Sequence, residues 1–233
     1  MNSRWIDLPT AQGDTFSGYL ALPPAGHGPG IVLVQEIWGV NEHIRALAEQ
    51  YALDGYVVLA PDVFWRLAPR VDLAYDDAGS QQAFGYYQQV DTALAASDVA
   101  AAVDALRAMP QVSGKVATLG YCLGGQLAFR AAALSQADAA VCYYGGGIHR
   151  NLELAEQITM PILFHYAQQD AHITPELVAQ VKQAFAGKAN AQFCDYPGVE
   201  HGFNCWGRPK MYNQRAAALA HGRTLQFLAE QLG

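Results

Sequence analysis

Apolar runs of strand length alternate with helix-patterned stretches along most of this chain, and that alternation constrains its fold more than any other feature. Gly30-Ile-Val-Leu-Val-Gln35 and Tyr56-Val-Val-Leu-Ala60 are unbroken apolar runs, and Asn41 to Leu53 between them has helical spacing. The pattern continues as Lys115–Leu119, a helical stretch Gln126–Leu134, Ala139–Tyr144, Pro161–Ala167, a helical stretch Glu176–Phe185, Ala191–Tyr196 and a closing helix Asn213–Leu232. Runs buried on both faces and joined by helices predict an α/β fold with a mostly parallel central sheet and helices on both faces. Ser97–Arg107 reads as a further helix with Ser97 as its N-cap. Between Pro61 and Ala96 strong apolar runs are few and acids, glutamines and tyrosines dominate, so residues 61–96 are expected to form a cap-like excursion from a single domain spanning 1–233.

The chain has 233 residues, 52% of them hydrophobic and 15% charged, enough for one large α/β core. A net charge of −7 without a lysine and arginine stripe argues against a nucleic-acid partner. The N-terminal residues lack a continuous apolar stretch and no uncharged run of membrane-spanning length follows, so neither secretion nor membrane insertion is expected. Cys122, Cys142, Cys194 and Cys205 have neither C-x-x-C nor compact scaffold spacing, which fits a reducing cytoplasm. Cys142 and Cys194 lie in apolar runs and read as core residues. The expected partner is therefore a small molecule; the oligomeric state is left open.

Gly120-Tyr-Cys122-Leu-Gly124-Gly125 lies directly behind a predicted strand and ahead of a predicted helix. A residue forced onto so tight a strand-to-helix turn carries backbone strain of about 1–3 kcal/mol, and flanking glycines let neighbouring chain segments pass closely. The turn would set the Cys122 sulfur at the positive end of the following helix, a position that favours anionic sulfur. In open parallel sheets functional groups gather beyond the carboxyl ends of the strands. Asp170 follows the run ending at Ala167, and His201 follows the run ending at Tyr196. Nucleophile, acid and histidine in this order match the α/β-hydrolase fold. The chemical roles would be Cys122 as nucleophile, His201 as proton acceptor and donor, and Asp170 as the group that orients the imidazole. Glu36 ends the first strong strand run and would lie at the same edge. The backbone amides of Leu123 and Ile37 are the expected oxyanion donors, each worth about 2.7–4 kcal/mol in related enzymes.

With Glu36-Ile-Trp-Gly39, Pro61-Asp-Val63, Gly120–Gly125, Tyr143-Tyr-Gly145, Gln169-Asp170 and Glu200-His-Gly-Phe203 together, the chain resembles the dienelactone hydrolase family over nearly its full length. The resemblance implies a Cys122–His201–Asp170 triad, oxyanion amides from Ile37 and Leu123, and a gating role for Glu36, which would contact the resting thiol and take up its proton when substrate binds. It also implies two arginines and a tyrosine gripping a substrate carboxylate. Here Ser80 and Cys205 stand at the arginine positions and Phe84 at the tyrosine position, so both expected anchors are absent. Arg208 follows three residues after Cys205, and Arg66 and Arg70 lie in the excursion. Trp38, Phe84, Phe203 and Trp206 suggest an aromatic pocket.

The reading is a carboxylic ester hydrolase for activated or cyclic esters such as enol lactones, working through a thiol acyl-enzyme with no metal and no cofactor. Two other classes fit the residues less well. A metal protein using His201, Cys205, Cys122 and His165 or His172 would consume the triad for its ligands. A non-catalytic small-molecule binding or thiol-signalling protein on the same fold is the alternative, and it would be expected to have lost a triad member, whereas all three are present.

Overall fold

The computed structural model describes residues 2–10 and 12–233. An eight-stranded sheet forms its centre. In chain order the strands are β1 (Asn2–Pro9), β2 (Thr15–Leu22), β3 (Gly28–Val34), β4 (Val57–Pro61), β5 (Val112–Tyr121), β6 (Ala139–Tyr143), β7 (Ile162–Ala167) and β8 (Ala191–Tyr196). The helices are α1 (Glu42–Leu53), α2 (Asp77–Gln89), α3 (Thr92–Arg107), α4 (Leu123–Leu134), α5 (Pro175–Ala184) and α6 (Gln214–Leu232). The strand order is β1-β2-β4-β3-β5-β6-β7-β8. β1 with β2 and β2 with β4 are antiparallel, and every other neighbouring pair is parallel.

Period-two burial divides the strands between two apolar layers. Ile31 and Leu33 of β3, with Val58 and Ala60 of β4, enter one layer with Ile44, Leu47 and Tyr51 of α1 and Phe227 and Leu228 of α6. Val32, Val34, Val57 and Leu59 enter the other, against Val99, Ala102, Val103 and Leu106 of α3. Helix α4 joins both layers, through Ala128 and Phe129 on one side and Leu127 and Ala131 on the other.

The chain leaves β3 for β4 on one side and returns through α3 to β5 on the other, so the connections diverge where the carboxyl ends of β3 and β5 lie together. Such a divergence opens a crevice beyond the strand ends.

Three elements differ from the sequence reading. The β1–β2 hairpin was not anticipated: β1 buries only Leu8, and in β2 the apolar run is limited to Tyr19–Leu22 behind an alternating, partly polar start. Within 61–96 the excursion contains α2, which buries only Gly79 and Ala83 and so shows almost no apolar stripe. Helix α3 begins at Thr92 rather than beyond Ser97: Asp91 is its N-cap, its side chain accepting from the amides of Ala93 and Leu94 at 2.8 and 3.1 Å. No helix among the described residues is long and apolar enough to cross a membrane.

Candidate active site

The turn between β5 and α4 is built as its glycines require. Cys122 has φ 56° and ψ −116°, a conformation that L residues seldom adopt. A Cβ on Gly120 would lie 2.0 Å from the carbonyl oxygen of Gly124, and one on Gly124 2.2 Å from that of Val34, so the turn closes only without side chains at either position. The Cys122 amide donates to the Tyr143 carbonyl at 3.0 Å, which ties the turn to the end of β6. Cys122 is the N-cap residue of α4 and its side chain caps nothing, leaving the sulfur to face the crevice.

Asp170 follows β7 and is buried. Its Oδ1 accepts from the amides of His172 and Ile173 at 2.8 and 3.0 Å, and its Oδ2 meets His201 Nδ1 at 2.7 Å. Burial works against ionisation of Asp170, yet His201 and the two amides hold its carboxyl below the usual range. Burial likewise opposes a charge on His201, but Cys122 and Asp170 outweigh it and push the imidazole up to about 10. Asp170 and His201, from the ends of β7 and β8, are thus hydrogen-bonded, and His201 shares one cavity lining with Cys122 from the end of β5.

A cavity of about 420 Å³ opens on this group. Ile37, Trp38, Phe84, Tyr87, Cys122, Leu123, Gly146, Gly147, His149, Arg150, Ala171, His172, His201 and Arg208 line it. Ile37 and Leu123, the expected oxyanion residues, therefore both border Cys122, and Trp38 and Phe84 both lie in its wall. Arg208 sits over the Trp38 ring, 4.8 Å from its centroid. Neither Arg208 nor Arg150 is paired with a carboxylate among the described residues.

Other expected residues lie elsewhere. Phe203 is fully buried between Tyr144 and Tyr196, at 5.4 and 4.9 Å between centroids, and is a core aromatic rather than a pocket wall. Ser80, one helical turn before Phe84 on α2, does not line the cavity. Cys205 is fully buried and turns away from His201, toward Glu36 and His43. Trp206 packs edge-on against His43 at 4.3 Å and borders a separate cleft. Arg66 pairs with Asp98, and Arg70 lies over Trp5, so neither reaches the cavity. Glu36 is buried beside the site, but its Oε2 accepts from the Tyr75 hydroxyl at 3.1 Å and it makes no hydrogen bond to Cys122. His149 and Arg150 carry no sequence signal of their own: Gly145, Gly146 and Gly147 separate them from the end of the β6 run, and only the path of that turn brings them into the cavity wall. Of the suggested metal set, His165 lies fully buried in β7 between Tyr196 and Thr224.

A mostly parallel sheet of this order, with its reactive groups at the strand ends and a residue strained on the elbow before α4, defines an α/β hydrolase. The model of the dienelactone hydrolase family matches residues 16–232, and the chain belongs to that family. It is 34% identical to carboxymethylenebutenolidase 1 of Cupriavidus pinatubonensis over 230 residues, covering 98% of this chain and 97% of the relative. With the carboxymethylenebutenolidase of Pseudomonas putida it shares 35% over 231 residues, covering 98% and 97%. Among solved structures, a dienelactone hydrolase-like promiscuous phosphotriesterase from metagenomic libraries superposes with a TM-score of 0.82 at 26% identity, covering 100% of this chain and 99% of that one. The protein is accordingly a hydrolase acting on carboxylic ester and lactone bonds.

Proposed function

We propose that this hydrolase cleaves activated or cyclic carboxylic esters, enol lactones among them, through a Cys122–His201–Asp170 triad and a thiol acyl-enzyme. The observation that carries the reading is the strained Cys122 at the head of α4, sharing one cavity with a histidine that Asp170 holds at 2.7 Å. The Cys122 thiolate attacks the ester carbonyl carbon, and the oxyanion that forms meets the amides of Ile37 and Leu123. Collapse of that intermediate expels the enol or phenol oxygen, which takes its proton from His201. Water, deprotonated by His201, then attacks the thioester, releasing the acid and returning the thiol. Asp170 fixes the imidazole tautomer and stabilises its cation throughout.

Leaving-group chemistry limits the substrates. A weakly basic thiolate departs from a tetrahedral intermediate more readily than a plain alkoxide does, so attack on an alkyl ester mostly reverses, whereas enols and phenols leave forward. Trp38, Phe84 and Tyr87 give the cavity an aromatic wall, and Arg150 and Arg208 offer a substrate carboxylate two cations from positions other than the family's anchors. Glu36, buried next to Ile37 and bonded to the Tyr75 hydroxyl, is assigned to take up the thiol proton, a role for which it would have to turn from Tyr75 toward Cys122.

The test compares p-nitrophenyl acetate and a carboxylated enol lactone on the wild type and Cys122→Ala. Turnover of both by the wild type alone, with Glu36→Gln slower, is the expected result. Equal hydrolysis by Cys122→Ala would remove the thiol mechanism, and an unchanged Glu36→Gln rate would remove Glu36 from it.

A further inference from the structure

Behind the catalytic cavity lies a second group of reactive side chains that the mechanism only half uses. Glu36 follows β3, His43 sits in the first turn of α1, and Cys205 lies in the turn after His201. One donor atom from each falls within 4.8 Å of the other two. Exposure of the three is 1%, 5% and 0%. Glu36 Oε1 and His43 Nδ1 have no hydrogen-bond partner among the described residues, and no cationic side chain pairs with Glu36 there. Buried polar atoms are normally satisfied and buried charges paired, so two orphans in one cluster with a thiol call for a missing partner.

We propose that Glu36, His43 and Cys205 bind a thiophilic divalent cation, with Zn²⁺ the ion whose preferences this oxygen, nitrogen and sulfur set matches. Coordination displaces the Cys205 proton to solvent, and one thiolate with one carboxylate neutralises the ion. Metal–ligand bonds of about 2.0–2.3 Å set tetrahedral donors roughly 3.5 Å apart, so the three side chains need draw in only about an ångström. The Tyr75 hydroxyl, already bonded to Glu36, or a water completes the shell. Entry would be from a cleft of about 680 Å³, distinct from the catalytic cavity, that reaches the cluster at His43 and Tyr75 and has Glu42, Asp76 and the Arg45-paired Asp72 around it. Carboxylates at such a mouth raise the local concentration of cations. One consequence rests on the reading of Glu36 as carrier of the thiol proton: an occupied site pins Glu36 away from Cys122, so the metal slows turnover without touching the nucleophile.

The test titrates the chelator-stripped full-length protein with Zn²⁺ by calorimetry in two buffers of different ionisation enthalpy, and with Co²⁺ followed by its thiolate absorption band. Cys122→Ala, which removes the thiol of the catalytic cavity, should bind one equivalent and release one proton. Cys205→Ser and, as an independent variant, His43→Gln should bind at least about tenfold more weakly with native circular dichroism retained. Unchanged affinity in both variants, absence of saturable binding, or loss of binding in Cys122→Ala overturns the site. In the ester assay Zn²⁺ should inhibit the wild type at the concentration that fills the site. Filling without inhibition keeps the site and overturns its hold on Glu36.

Discussion

His165 and His201 are both buried, at 0% and 8% exposure, and both belong to the same half of the sheet, yet their surroundings drive them in opposite directions. His165 stands in the middle of β7 with Tyr196 Oη at 2.8 Å and Thr224 Oγ1 at 3.0 Å, neutral partners on either side. Burial, reinforced by the charge of Arg223, lowers its pKa to about 3, and it stays an uncharged brace between β8 and α6. His201 lies beyond the end of β8, where burial acts in the same sense but Asp170 and Cys122 overrule it. Depth therefore does not decide what a buried histidine does; the charge type of its hydrogen-bond partner does.

The comparison can be broken most directly by removing each ring. His201→Gln should lower kcat/KM by at least about a thousandfold. His165→Leu should leave the rate near wild type while losing roughly 1–3 kcal/mol in urea unfolding, because the Tyr196 hydroxyl loses its His165 partner and Thr224 Oγ1 keeps only the Tyr143 hydroxyl. Equal loss of rate in a folded His165→Leu protein would erase the distinction. Next in size, Asp170→Asn should reduce kcat by roughly 10²–10⁴, since the amide presents the wrong donor to the imidazole. Its Oδ1 would still accept the His172 and Ile173 amides, so the melting temperature should move far less than the rate.

Stability against pH sharpens the contrast. The folded-state pKa of His201 is raised, so its contribution is complete below the ordinary 6.5 and is lost as pH rises toward about 10. That of His165 is lowered, so the unfolded chain binds a proton that the folded chain refuses, and stability falls as pH drops from 6.5 toward about 3. Each slope is bounded by about 1.4 kcal/mol per pH unit. Denaturant titrations across both windows should show the alkaline slope flattened in His201→Gln and the acid slope flattened in His165→Leu; a slope that survives its own substitution refutes the assignment. The smallest expected effect is at the cavity rim. Phe84 is half exposed, and Phe84→Ala should raise KM for aromatic esters by about fivefold, the equivalent of about 1 kcal/mol of apolar contact, with kcat unchanged.

The central strands were legible because both faces of each are buried, which makes them continuous apolar runs, and Cys122 and Asp170 were legible because each follows such a run; His201 follows the half-exposed edge strand β8, which only its Phe193, Cys194 and Tyr196 marked. The opposite edge was not: β1 and β2 wet one face, and alternation over eight residues is a weak signal. Phe203 and Trp206 flank Cys205 and look equivalent in sequence, but one fills the core and the other reaches a different cleft, a distinction made only by the path of the turn after His201. Glu36, His43 and Cys205 share no spacing at all. Glu36 follows β3, His43 lies in the first turn of α1 and Cys205 follows β8, so their meeting depends on the sheet from β3 to β8 being assembled first.

The constraint at residue 122 belongs to the backbone, so every L side chain placed there is strained alike and only glycine escapes. Replacing the cysteine by glycine relieves about 1–3 kcal/mol, less the roughly 0.5–1 kcal/mol of extra chain freedom that glycine brings to the unfolded state. For thermal robustness alone, then, the best residue at the elbow is one that carries no sulfur. A directed-evolution campaign scored only on heat resistance would drift toward glycine at this position and discard the reactive atom while every other measure of the fold improved.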